Sequence, residues 1–142
     1  MIARAVVDTN VIVSAMRSPD GLNRSILRAC LQQNLKPVIG QALFLEYEDV
    51  MGRDQLFART PLNGTERRLL LDAFLSVCDW VRVYYLWRPN LRDEGDNHVM
   101  ELAVAATADA IITNNVDDFR RPGLRFPEIR ILRPAEAMME MV

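Results

Sequence analysis

Apolar residues recur along this chain in two rhythms, and the switching between them lays out its elements. Ile2 to Val7 is a branched apolar run broken once by Arg4 and ending at Asp8, the pattern of a buried strand. Asn10 is placed to cap a helix through Val11, Ile12 and Ala15. Pro19, Asp20 and Gly21 punctuate the chain, and a helix is expected over 23–33. Val38 and Ile39 form a short strand before Gly40, followed by a helix from Gln41 to about Met51 and a shorter helical piece over 55–58. Thr65 opens a helix carried by Leu69, Leu70, Ala73, Phe74 and Val77. Trp80 to Tyr85 alternates apolar and polar residues and predicts a third strand. Beyond Pro89, Asp93 opens a helix reaching about Thr107; strands follow over 110–113 and 129–132, and Pro134 begins a last helix.

Strands alternating with helices predict an α/β domain whose parallel sheet is covered on both faces. Its functional crevice is expected at the carboxyl ends of the strands. Composition narrows this picture only a little. The 142 residues suit one domain, 1–142, with half of them apolar and a quarter charged. Glu101 and Asp109 interrupt the longest apolar stretch, so no membrane span is expected, and the first residues run directly into a strand pattern rather than a signal peptide. Cys30 and Cys78 form no C-x-x-C unit and read as buried thiols of a cytoplasmic protein. The net charge of −2 does not advertise nucleic-acid binding. The cations are nonetheless skewed to sixteen arginines and Lys36, a choice that suits phosphate recognition and that codon composition produces equally well.

The acids carry the chemistry. Asp8 ends the first strand and points to the crevice. Glu46 shares a helix face with Leu43 and Val50, whereas Glu48 points away toward solvent. Asp96 precedes Val99, Met100 and Ala103 by three, four and seven residues, which places it on a buried stripe near a helix start. Asp117 and Asp118 follow the fourth strand. Each also has a plainer role: Asp8 as a helix cap, Glu46 as a rim residue, Asp93 and Asp96 as a reciprocal cap, and Asp117 and Asp118 as loop acids. His98 reads as a helix-surface residue, since there is no second histidine to build a metal site with it.

Together the acids say more. Two carboxylates about 5 Å apart repel by roughly 3 kcal/mol at an effective dielectric near 20. Three such pairs approach the stability of a whole domain, about 5–15 kcal/mol. A fold that gathers them needs a cation or raised pKa values. All-oxygen ligands favour a hard ion, Mg²⁺ or Mn²⁺, which activates water and shields phosphate charge.

Val7-Asp8-Thr9-Asn10-Val11, the helix acid Glu46, Asp93-Glu94-Gly95-Asp96-Asn97 and Thr113-Asn114-Asn115-x-x-Asp118-Phe119 resemble, in this order, the motifs of PIN domains. They are most similar to the bacterial toxin branch of that family, the VapC-like ribonucleases, and the likeness runs from Ile2 to about Pro134. The resemblance implies a three-layer α/β/α sandwich around a mainly parallel five-stranded sheet, and Mg²⁺- or Mn²⁺-dependent cleavage of RNA. Carried over by position, Asp8, Glu46, Asp96 and Asp118 are the catalytic and metal-binding acids, with Asn10, Asp93, Thr113 and Asn115 in support. Many relatives carry T-G-D, with an acid where this chain has Asn115; the toxin-like branch has asparagine there and an acid three residues on. The fourth acid is therefore Asp118 or is missing.

The resemblance further implies an RNA substrate, a small antitoxin protein as partner, and a homodimer. Met138, Met139 and Met141 suit such an interface as well as they suit core packing. Two other readings compete. A PIN-fold RNA- or protein-binding module with weak or no catalysis follows if the fourth acid is absent. A phosphatase of the haloacid-dehalogenase kind needs an aspartate two residues after Asp8, where Asn10 stands.

Overall fold

A computed structural model describes residues 1–83, 97–119 and 128–141. Among these, five strands form one wholly parallel sheet: β1 (Arg4–Val7), β2 (Lys36–Ile39), β3 (Asp79–Trp80), β4 (Ala110–Ile112) and β5 (Arg130–Leu132), in the order β3-β2-β1-β4-β5. Between them run α1 (Thr9–Arg17) and α2 (Leu22–Leu31), α3 (Gln41–Met51) and α4 (Gly64–Val77), and α5 (Asn97–Ala105), with α6 (Pro134–Glu140) last. Short 3₁₀ turns occupy Asp54–Phe57 and Val116–Asp118.

The apolar run of β1 is what puts that strand in the centre. Ala5, Val6 and Val7 are fully buried, as are Ala110, Ile111 and Ile112 of β4 beside them. Helix α5 packs over β1, β2 and β4, while α2 packs against α1, α4 and α6. The result is the three-layer α/β/α sandwich. Arg4, the one break in the β1 run, lies at the strand's start, where its guanidinium pairs with Asp79 and reaches the Ala106 carbonyl at 3.2 Å.

The expected elements recur with differences at β3, α1 and α4, and the expected helix start at Asp93 lies outside the described residues. The third strand is shorter than 80–85: Val38 pairs with Asp79 and Ile39 with Trp80, and one further bond joins the Val81 amide to the Ile39 carbonyl at 2.8 Å. β2 then ends at Gly40, which begins α3, so this edge of the sheet runs out of partners; Tyr84 and Tyr85 lie outside the described residues. Asp8, not Asn10, is the N-cap of α1. The Asp8 amide still belongs to the sheet, donating to the Ile112 carbonyl at 2.9 Å, while its carboxylate accepts from the Thr9 amide at 2.8 Å. One residue therefore closes the strand and opens the helix.

Helix α4 begins one residue earlier than Thr65. Asn63 caps it in a reciprocal box with Glu66, at 2.8 and 2.9 Å. Cys30 and Cys78 are free thiols whose pKa values burial pushes up to about 12. Among the described residues no helix is long and apolar enough to cross a membrane.

Candidate functional site

The strand order determines where a ligand can approach. The chain steps outward from β1 to β2 to β3, then returns to the other side of β1 for β4 and β5. The connections therefore diverge at the carboxyl ends of β1 and β4, a topological switch point where open α/β sheets bind ligands. Asp8 follows β1 and Thr113 follows β4, and the Thr113 hydroxyl donates to Asp8 Oδ2 at 2.7 Å.

Asp8 is nearly sequestered, 5 % exposed, and its carboxylate is held from three sides. Besides the Thr9 amide and the Thr113 hydroxyl, Asn10 Nδ2 donates to Oδ2 at 3.1 Å. Burial raises the Asp8 pKa and outweighs the hydrogen bonds from Thr113 and Thr9, with the charge of Glu46 adding to the rise. Thr113 is itself fully buried and accepts from the Asn115 amide at 3.0 Å. Asn10 extends the network outward: its Oδ1 accepts from the Asn114 amide at 3.0 Å, and Asn114 Nδ2 reaches Asn23 Oδ1 at 2.9 Å.

Glu46 arrives from α3, whose position is fixed one residue further on. Tyr47 is buried and donates its hydroxyl to the Val7 carbonyl, the last of β1. With that anchor made, the half-buried Glu46 meets Thr9, whose hydroxyl donates to Oε1, and His98 of α5, whose Nε2 lies 2.7 Å from Oε2. Burial opposes ionisation of Glu46, yet the hydrogen bonds from His98 and Thr9 prevail and hold its carboxyl below the ordinary value. Two acids bridged through Thr9 are thus pushed in opposite directions, Asp8 up and Glu46 down.

Two sequence readings are corrected here. His98 is no surface residue: its side chain is 21 % exposed and engages Glu46. Glu48 does not point to free solvent but is half-buried and paired with Arg68. Neither the bond from Thr9 nor the contact with His98 was readable in advance, because Glu46 lies 37 and 52 residues away from them on another element.

Asp118 stands in the 3₁₀ turn capped by Asn115, its amide 3.1 Å from the Asn115 carbonyl; it is half-buried, whereas Asp117 is exposed. Among the described residues no hydrogen bond or ion pair joins Asp118 to Asp8 or Glu46, and no three acids, histidines or cysteines gather as a metal-binding group. Asp93 and Asp96 lie outside the described residues. A cleft of about 550 Å³ opens beside His98, bounded by the start of α3, Trp80 and the buried Glu101. Gly40 shapes its wall: a Cβ there would stand 3.3 Å from both the Val81 carbonyl oxygen and Leu102 Cδ1.

The described site offers carboxylate, hydroxyl and amide oxygens and one imidazole, a donor set suited to a hard divalent cation. Comparison with curated protein sequences gives no match. A solved structure shares the fold: the crystal structure of VapBC2 from Rickettsia felis bound to a DNA fragment from their promoter contains a chain that superposes with a TM-score of 0.62 at 17 % identity, covering 92 % of this chain and 98 % of that one. The sequence profile of the PIN domain matches residues 4–117, a stretch that holds Asp8, Glu46 and the loop after β4, and the chain belongs to the PIN-domain family.

Proposed function

We propose that the chain is a ribonuclease that hydrolyses RNA phosphodiester bonds with the help of Mg²⁺ or Mn²⁺, and that it serves as the toxin of a toxin–antitoxin pair. The observation that carries this reading is the pairing of Asp8 with Glu46 at the switch point between β1 and β4. Burial alone leaves Asp8 reluctant to ionise, and a cation beside it would remove that penalty. Asp8 and Glu46 would hold the ion, joined by Asp96 and Asp118 as the family resemblance implies. When bound, such an ion shields phosphate charge and lowers the pKa of a coordinated water.

The chain's own residues supply the positioning. Thr113, Asn10 and the Thr9 amide fix the Asp8 carboxylate, so it needs no reorganisation when a ligand arrives. Thr9 and His98 orient Glu46 and favour its ionised form. The toxin assignment draws on the likeness to VapBC2, and implies a small antitoxin partner and a homodimer.

The test is direct. Purified protein incubated with RNA should cleave it when Mn²⁺ or Mg²⁺ is added and stop when the ion is chelated. Asp8→Asn should remove that cleavage. RNA left intact by folded, metal-supplied protein would leave the chain as a binding module and sink the proposal.

A further inference from the structure

Away from the acids, a second cleft of about 650 Å³ lies between the end of α1 and the segment after α3. Its polar lining is Ser14, Arg17, Ser18, Gln55, Arg59 and Thr60, with no carboxylate and no aromatic ring. Neighbouring arginines are spoken for: Arg53 pairs with Asp49, Arg67 with Asp54 and Arg68 with Asp72. Among the described residues Arg17 and Arg59 form no such pair, although the chain as a whole is net negative. Two unopposed guanidinium groups flanked by hydroxyl donors suit an oxyanion, and a phosphate, with its several acceptor oxygens, can engage both the guanidinium and the hydroxyl groups.

The cleft also stands in a fixed relation to the acid pair. Helix α1 starts at Thr9, against Glu46, and ends at Arg17 in the cleft. Helix α3 carries Glu46 and leads through the 3₁₀ turn to Arg59 in the same cleft. Both paths run from acids to arginines, and along α1 the steps from 9 to 17 span about 12 Å at ~1.5 Å per residue. A single strand lying along that path covers the span in a few nucleotides.

We propose that the cleft between Arg17 and Arg59 binds a backbone phosphate of the RNA strand whose scissile bond lies at Asp8 and Glu46, a few nucleotides away. The inference rests on the ribonuclease reading and adds the site that holds the strand beyond the cut. Lacking an aromatic platform, the cleft grips the backbone and reads no base.

The experiment measures binding of fluorescein-labelled oligouridylates, eight and three nucleotides long, by anisotropy over a range of salt concentrations. The double variant Arg17→Gln, Arg59→Gln should lose about tenfold or more in affinity for the 8-mer. Its log–log salt slope should fall by about 1.4, two contacts at ~0.7 each for single strands. The 3-mer should bind wild type and variant alike, and Arg17→Lys, Arg59→Lys should restore most of the slope. An 8-mer bound with unchanged affinity and slope overturns the proposal and leaves the ribonuclease reading standing. Wild-type protein that binds no RNA overturns both. If the variant keeps RNA but loses a polyglutamate peptide that wild type holds, the cleft belongs to an acidic protein segment and the phosphate assignment falls.

Discussion

Two neighbours hold the Glu46 carboxyl below its ordinary value against the pull of burial, and substitution separates their contributions. Glu46→Gln keeps shape and helix propensity, so the fold should persist while RNA cleavage drops at least tenfold, about 1.4 kcal/mol of barrier. Unchanged turnover would make Glu46 a bystander. His98→Leu removes one of the hydrogen bonds that hold the Glu46 carboxyl low. The Glu46 pKa should then rise, and the acid limb of the kcat/KM–pH profile should move to higher pH, with His98→Gln restoring it in part. An unmoved limb would show that His98 only fills space. The fourth acid has its own asymmetry: half-buried Asp118 replaced by Asn should lower metal-dependent cleavage clearly, and exposed Asp117 replaced by Asn should hardly alter it. Asp8 was legible in the sequence because a strand end announces itself in the apolar pattern. The bonds to Thr9 and His98 were not, since spacing along one helix says nothing about what a second helix brings to it.

Elements declared themselves where local chemistry is self-contained. The glycine before α3 and Pro134 at the start of α6 are short-range signals, and both helices begin where expected; the Asn63–Glu66 box is as local but was passed over, and α4 opens one residue before Thr65. β3 was over-read because its length is decided by β2, which stops at Ile39. A similar non-local tie secures the start of β1: Asp109, just before β4, accepts from the Ala3 and Arg4 amides at 2.8 and 3.0 Å. These two bonds lower its pKa below the ordinary 3.8. A carboxylate with a depressed folded pKa stabilises above its unfolded value, and the benefit fades as pH falls through the folded one. Asp109→Ala should therefore cost about 1 kcal/mol at pH 7, below the usual range for charge-assisted bonds because the site is open to water. Urea midpoints should show the gap between variant and wild type closing below pH 3.8. A gap that stays constant with pH would assign the loss to packing.

For the whole molecule, a bound ion should act as a stabiliser by mass action, because the unfolded chain has no assembled acids. Millimolar Mn²⁺ or Mg²⁺ should raise the melting temperature by several degrees in wild type and leave an Asp8→Asn, Asp96→Asn double variant unmoved. Equal responses would remove the site. The sheet's existence could be read from the alternation of strands and helices. Its order could not: that β4 returns to the far side of β1 depends on which strands take the centre, and β1 and β4, apolar and buried, take it over the part-exposed β3 and β5. That return also sets a clock. Asp8 receives its Thr113 donor and its Ile112 acceptor from a stretch about a hundred residues downstream, 105 for Thr113. Synthesis at ~5–20 residues per second separates their emergence from the ribosome by roughly 5–20 s. Until then a nascent chain has only Thr9 and Asn10, the near neighbours, to hold the Asp8 carboxylate. Pulse-labelled hydrogen exchange during refolding should find the Asp8 amide protected in step with β4, later than the amides of α1, so that the candidate site assembles only once β4 has docked beside β1.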